Sequence, residues 1–329
     1  MSERRHIQGV LVTGATTPFG ERFVRRMLAD PTVGCVVAVA REPRSQAALP
    51  FHEHPERLVY CSVDLGHSRR AHELLFGPAR DRGVEVVVHT ALHRSALDRG
   101  KRVHATNVQA LRTLLELGER HPSIRRFVFK SYGEVYQIQH NLPFMVSEDH
   151  PLNMAPGAPQ WIRDRVEADL TACARMGLAE LEIVVLRCAE VLGPGTGSQL
   201  FDYLDAPVCL RPAGYDPMMN LLSIEDTVQA LDIAARAFGV LGVFNIPGAD
   251  TLPLSECIRL WGRVGIPTPG SLMAPIYRAR RRLRGHDFSY GMNRRRFHFG
   301  SVLDGTRARQ VLGYLPENPI DWPAAEAAR

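Results

Sequence analysis

Thr13-Gly14-Ala15-Thr16-Thr17-Pro18-Phe19-Gly20 is the stretch whose reading decides the fold. It follows the apolar run Val10-Leu11-Val12-Thr13 and leads into a segment, from about 19 to 29, whose apolar residues recur at helical spacing. Glycines at a strand-to-helix turn have a physical use. Gly14 permits the tight turn, and Gly20 lets helix and strand pack closely. The helix N-terminus then offers N–H groups and a positive dipole end to a pyrophosphate.

Outward from this turn, short apolar runs alternate with amphipathic stretches. Residues 35–40, 58–62, 84–89, 126–130 and 181–186 read as strands. Helices are expected at about 71–82, 103–120 and 160–176. Runs of β-branched residues without alternation suit strands covered on both faces. Repeated β-α-β units of this kind build a parallel sheet. The expected fold class is α/β, a doubly wound parallel Rossmann sheet with a small C-terminal α/β substrate lobe. Residues 1–193 form the dinucleotide-binding domain, joined by returning segments 220–247 and 302–315. Residues 194–219 and 250–300, richer in Pro and Gly, form the substrate-side lobe.

Composition narrows the function classes. The 329 residues are 45% hydrophobic and 23% charged, as in ordinary globular proteins. No uninterrupted apolar run reaches the length of a spanning helix, and Met-Ser-Glu-Arg-Arg-His leads directly into a strand. A cytoplasmic location is expected. Cys35, Cys61, Cys173, Cys188, Cys209 and Cys257 lie far apart, as buried hydrophobes rather than metal ligands. His52 and His54 share a polar loop with no second ligand cluster, so no metal is expected. Only Lys101 and Lys130 are lysines, so arginine carries nearly all the positive charge behind the net +5. Arg278, Arg280, Arg281, Arg282, Arg284, Arg294, Arg295 and Arg296 cluster locally, which suits an anionic ligand, an acidic partner or an anionic membrane surface. The aromatics among them (Phe288, Tyr290, Phe297 and Phe299) also suit base stacking.

Several further landmarks occur in a fixed order: Val63-Asp64-Leu65, His89-Thr90-Ala91, Thr106-Asn107-Val108, the stretch from Leu186 to Pro194, Ile224-Glu225-Asp226, the stretch from Gly242 to Ile246, and Leu312-Gly313-Tyr314. With the glycine turn, they make the chain resemble an extended short-chain dehydrogenase/reductase of the NAD-dependent epimerase/dehydratase family. The resemblance implies cofactor contacts at Gly14, Thr17, Phe19, Gly20, Arg41, Asp64, Leu65, Thr90, Ala91 and Arg165. Thr17 replaces a family glycine that lets the backbone approach the phosphates, and Pro18 withdraws one N–H donor. Arg41 and Arg44 stand where an acidic residue would hold the ribose hydroxyls of NAD. Guanidinium groups there favour NADP over NAD. Family members often dimerise through helices corresponding to about 103–120 and 160–176, so a homodimer is possible.

The resemblance also implies a change of chemistry. Trp161 stands at the Tyr, and Arg165 at the Lys, of the family's Tyr-x-x-x-Lys dyad. An indole N–H is donor-only, whereas a phenol donates, accepts and titrates. The residues after the fifth strand resemble the family's Ser-Ser-x-x-Val-Tyr-Gly. Tyr132 occupies the position of the catalytic hydroxyl, and Ser131 is one residue early. Glu134 is retained where some dehydratases carry Asp-Glu, but Gly133 replaces the Asp. Met219 stands in place of a diphosphate-binding Arg, and Glu190 in place of a substrate-side Asn. The expected function is that of an atypical NAD(P)-binding protein, either a cofactor-dependent binding or regulatory protein or an enzyme with relocated catalytic residues. One alternative is an active oxidoreductase or epimerase using Tyr132 or Glu134 on an apolar or anionic substrate that is not a UDP-sugar. Another is a polyanion- or membrane-surface-binding module acting through residues 278–296.

Overall fold

The computed structural model describes residues 5–284 and 287–323. In chain order the principal elements are β1 (Ile7–Thr13), α1 (Pro18–Ala29), β2 (Val33–Ala40), β3 (Leu58–Ser62), α2 (Ser68–Leu74), β4 (Val84–His89), α3 (Lys101–His104), α4 (Ala110–Gly118), β5 (Arg126–Tyr132), β6 (Met145–Val146), α5 (Gln160–Cys173), β7 (Glu182–Cys188) and β8 (Glu190–Val191). They continue with α6 (Gln199–Leu204), β9 (Val208–Pro212), β10 (Met218–Leu222), α7 (Ile224–Arg236), β11 (Gly242–Ile246), β12 (Asp250–Pro253), α8 (Leu254–Leu260), β13 (Val264–Thr268), α9 (Gly270–Arg284), α10 (Tyr290–Asn293), α11 (Arg296–Phe299) and β14 (Val302–Leu303).

Seven strands form one parallel sheet in the order β11-β7-β5-β4-β1-β2-β3. Strand periodicity explains its two covered faces. Val10 and Val12 of β1 join one core with Phe23, Met27 and Leu231 of α1 and α7, while Leu11 joins a second core with Leu111, Leu114 and Ala168 of α4 and α5. β2 repeats the split, sending Val36 and Ala38 one way and Val37 and Val39 the other. On α1, Phe19, Phe23, Val24, Met27 and Leu28 are buried, each worth about 1.5–3 kcal/mol of apolar transfer.

A third core gathers Tyr203, Cys209, Leu254, Cys257, Met273, Tyr277, Phe288 and Phe297. It lies under the smaller sheets β12-β10-β8 and β13-β9. The buried Arg126 guanidinium ties β5 to the end of α7, donating to the carbonyls of Ala234 and Val240 and to the Glu182 carboxylate.

Two helices differ from their expected extents. The helix expected at 71–82 runs as α2 and then breaks, because Gly77 adopts φ −107° and ψ −105° and Pro78 has no N–H to continue the ladder. The helix expected at 103–120 begins at Lys101 and widens into a π turn over Ala105–Gln109 before α4. No helix among the described residues is long and apolar enough to cross a membrane.

Candidate functional site

The C-terminal ends of β1 to β4 open onto a cleft of about 340 Å³, lined among others by Gly14, Thr16, Thr17, Arg41, Glu42, Asp64, Leu65, Ala91 and Arg94. Its floor is the glycine turn. Gly14 has φ +70°, the left-handed region that favours glycine. Gly20 is fixed by contact, since a Cβ there would sit 2.1 Å from the Gly14 carbonyl oxygen. Thr17 turns its hydroxyl inward. The hydroxyl donates to the Gly14 carbonyl at 2.8 Å and accepts from the Gly20 N–H at 3.0 Å, so it caps α1 while the residue still lines the cleft.

Of the other residues expected to contact a cofactor, Phe19 is buried in the core beneath the Lys130 ammonium, which lies 4.8 Å from its ring centroid. Thr90 is buried and donates to the Thr13 carbonyl at 2.8 Å. Arg41 is exposed on the rim, and Arg44 lies over the Phe51 ring. Sequence reasoning passed over Glu42, which projects into the cleft and accepts from the Thr16 hydroxyl at 2.9 Å. Burial would raise its carboxyl, but its own backbone N–H, the Thr16 hydroxyl and the Arg94 and Arg41 charges together hold it below the ordinary value. The signal was an acidic residue two positions past the end of β2.

The π turn joins this cleft to α5. Asn107 accepts from the His93 N–H and donates to Asp164, which also bonds the His104 ring. One turn of α5 then brings Trp161 and Arg165 onto the same face, four residues apart. The Arg165 guanidinium lies between two rings, 3.7 Å from the Tyr132 centroid and 3.8 Å from that of Trp161. On β5 the Lys130 ammonium lies 3.9 Å from the Tyr132 centroid. Arg165 also pairs with Glu134 at 3.1 Å, and all five side chains are buried.

Burial would raise the Glu134 carboxyl, but the Arg165, Arg296 and Lys130 cations and its own backbone N–H outweigh that and hold it below the usual carboxylate range. Arg296 lies 3.9 Å from Glu134 and also contacts Glu190, whose other oxygen accepts from the Ser198 hydroxyl and the Leu200 N–H at the start of α6. A second cleft of about 430 Å³ lies against Glu134, Tyr136, Trp161, Asn153 and Arg294–Arg296. The Trp161 indole N–H and the Arg165 Nε are buried without a hydrogen-bond partner.

Neighbouring hydroxyls are spent on structure. Ser131 donates to Asp169 at 2.5 Å, and Asp169 is gripped by Arg187. Tyr136 donates to Asn245 and accepts from Arg187, and burial pushes its phenol up to about 12. Met219 is buried in the third core. The Arg-rich stretch divides. Arg294–Arg296 line the second cleft, whereas Arg278, Arg281 and Arg282 lie on the outer surface of α9. Among the described residues, no group of three or more His, Cys, Asp or Glu is placed to hold a metal ion.

Residues 10–246 match the family described as NAD dependent epimerase/dehydratase. Uncharacterized proteins of Mycobacterium tuberculosis and Mycobacterium bovis are 31% identical over 327 residues, covering 97% of this chain and 81% of theirs. Among solved structures, dTDP-glucose 4,6-dehydratase from Bacillus anthracis in complex with NAD superposes with TM-score 0.71 at 20% identity, covering 97% of this chain and 94% of that one. UDP-glucuronic acid 4-epimerase from Bacillus cereus in complex with NAD gives TM-score 0.69 at 18% identity, covering 97% and 96%.

Proposed function

The chain belongs to the NAD dependent epimerase/dehydratase family, and from that premise we propose that it is a dinucleotide-binding member whose proton-relay position has been given over to a stack of charges and rings, so that it acts as a cofactor-dependent binding or regulatory protein. The observation that carries this reading is the Arg165 guanidinium held between Tyr132 and Trp161 and paired with Glu134. A guanidinium stays protonated at any physiological pH, and an indole only donates. Glu134 is held ionised, Ser131 is bound to Asp169, and Tyr136 is pushed well above neutrality. A positioned acid or base contributes about 10²–10⁴-fold to rate; Ser131 and Tyr136 supply neither near neutral pH, and Glu134, ionised and paired with Arg165, supplies a base but no acid.

The first cleft supports a site for the nucleotide end of a dinucleotide cofactor. Its volume of about 340 Å³ lies within the range of small-molecule sites, and the N-terminus of α1 and the turn at Gly14 stand beside it. Bound there, a nicotinamide cofactor would supply hydride acceptance or donation. Asp64 and Leu65 line the wall beyond β3, and Arg41 and Arg94 surround the end where a ribose would lie. The Arg41 and Arg94 guanidinium groups support NADP over NAD, against the Glu42, Asp64 and Asp98 carboxylates that line the same cleft.

The test is to titrate the purified protein with NADPH and NADH, reading tryptophan fluorescence. A panel of sugar nucleotides and ketones then follows in the presence of the tighter-binding cofactor. Saturable binding, tighter for NADPH, without consumption of cofactor is expected. Turnover by the wild-type chain would overturn the reading. A second reading, an oxidoreductase or epimerase acting on a substrate other than a UDP-sugar, draws on Glu134 at the wall of the second cleft. In that case Tyr132→Phe or Glu134→Gln abolishes the turnover.

A further inference from the structure

We propose that the outer face of α9, together with β13, docks onto an anionic lipid bilayer surface. The proposal is independent of the dinucleotide reading. α9 sinks Met273 and Tyr277 into the third core and turns the opposite side to solvent. On that side Leu272 is 51% exposed and Leu283 is 84% exposed. The two leucines are separated by about three helical turns, so they align on one stripe, with the exposed Pro275 and Ala279 between them. Arg278 and Arg282, both exposed, border the stripe along one side, and the exposed Arg281 lies further round the helix, where with Arg278 it lines a cavity of about 360 Å³ against Phe288 and Tyr290. β13, which enters α9 through Pro269, exposes Val264 at 61% and Ile266 at 45%. A Cβ on the intervening Gly265 would meet Ile258 of α8 at 3.4 Å, so Val264 and Ile266 point away from α8.

Charge decides the partner. No Asp or Glu occurs in the sequence between Glu256 and Asp287. Among the described residues, no carboxylate pairs with Arg278, Arg281 or Arg282. An apolar stripe bordered by arginines matches an interface with acyl chains below and anionic headgroups around it. A nucleic acid would need aromatic faces to stack its bases. Here Phe288, Tyr290 and Phe297 are buried, packed on Tyr203 and on one another, and of the four aromatics of the segment Phe299 alone is exposed, set against Tyr215 and His298 rather than on α9.

The test is flotation of the full chain with phosphatidylcholine vesicles, with and without phosphatidylglycerol. It uses two variants of exposed residues, Leu272→Asp with Leu283→Asp, and Arg278→Gln with Arg281→Gln and Arg282→Gln. The wild-type chain is expected to float only with phosphatidylglycerol present, and less at high salt, where screening shortens the reach of the arginines. The arginine variant should lose roughly 10²-fold in partitioning, one arginine near an anionic surface being worth about 1 kcal/mol. The leucine variant should lose at least roughly tenfold, with an unchanged melting temperature in both. Failure to float at low salt, or variants that float like wild type, would overturn the proposal. So would retention of a poly(U) RNA by wild type and leucine variant alike without vesicle binding, which would assign the surface to nucleic acid.

Discussion

At the end of β2 a guanidinium and a carboxylate stand side by side at the first cleft. Arg41 lies at the rim, while Glu42 is anchored inside by the Thr16 hydroxyl. Arg41→Ala is expected to weaken NADPH binding roughly five- to tenfold, the scale of one charge-assisted contact, and to leave NADH binding unchanged. Glu42→Gln should strengthen NADPH binding by removing the repelling charge. Paired titrations of the two variants check both outcomes, and loss of NADH binding in Arg41→Ala would count against the assignment. Arg41 was legible from its place after the strand. Glu42 was not, because its direction comes from a hydrogen bond to a residue 26 positions away in the chain. Trp161 and Arg165 could be placed on one helix face from spacing alone. Their enclosure with Tyr132 and Glu134 depends on how α5 packs on β5.

At the scale of elements, the turn between β1 and α1 holds itself together. Thr17 is the helix cap, and its hydroxyl also closes on Gly14. Thr17→Ala removes both bonds at once and should cost about 1–2 kcal/mol, while Thr17→Ser should keep most of the stability. Thermal unfolding of the two variants separates them, and equal melting temperatures would show that the cap contributes nothing. Strand positions were largely written in the apolar runs, because a strand covered on both faces carries few polar residues to blur its limits. β5 and β7 nevertheless run two residues further than their apolar cores, to Tyr132 and Cys188. Helix ends were harder to read. The break after α2 follows from Gly77 and Pro78, whose effect depends on local dihedral angles, and the π turn at Ala105–Gln109 left no mark in the periodicity.

For the whole molecule, the buried imidazole of His89 couples folding to acidity. Burial alone lowers its pKa to about 4, against an ordinary value of 6.5. The folded state therefore binds this proton more weakly than the unfolded one. Stability from the neutral ring is complete above about pH 6.5 and is lost as the pH falls towards 4. The difference corresponds to about 3 kcal/mol. Glu134, with its lowered carboxyl, adds a loss of the same sign at still lower pH. Denaturant melts of wild type and His89→Asn across that range check the claim: the variant should show a flatter profile, and parallel curves would refute it.

Long-range charge pairing was the least legible part of the chain, since Arg296 meets Glu190 across 106 positions. Their meeting has a mechanical consequence. Arg296 braces the wall of the second cleft, because one guanidinium faces two buried carboxylates that are otherwise held from different elements, Glu134 by Arg165 of α5 and Glu190 by the start of α6. That single side chain therefore ties the small lobe to the sheet domain, and the shape of the recess it lines depends on its staying in place.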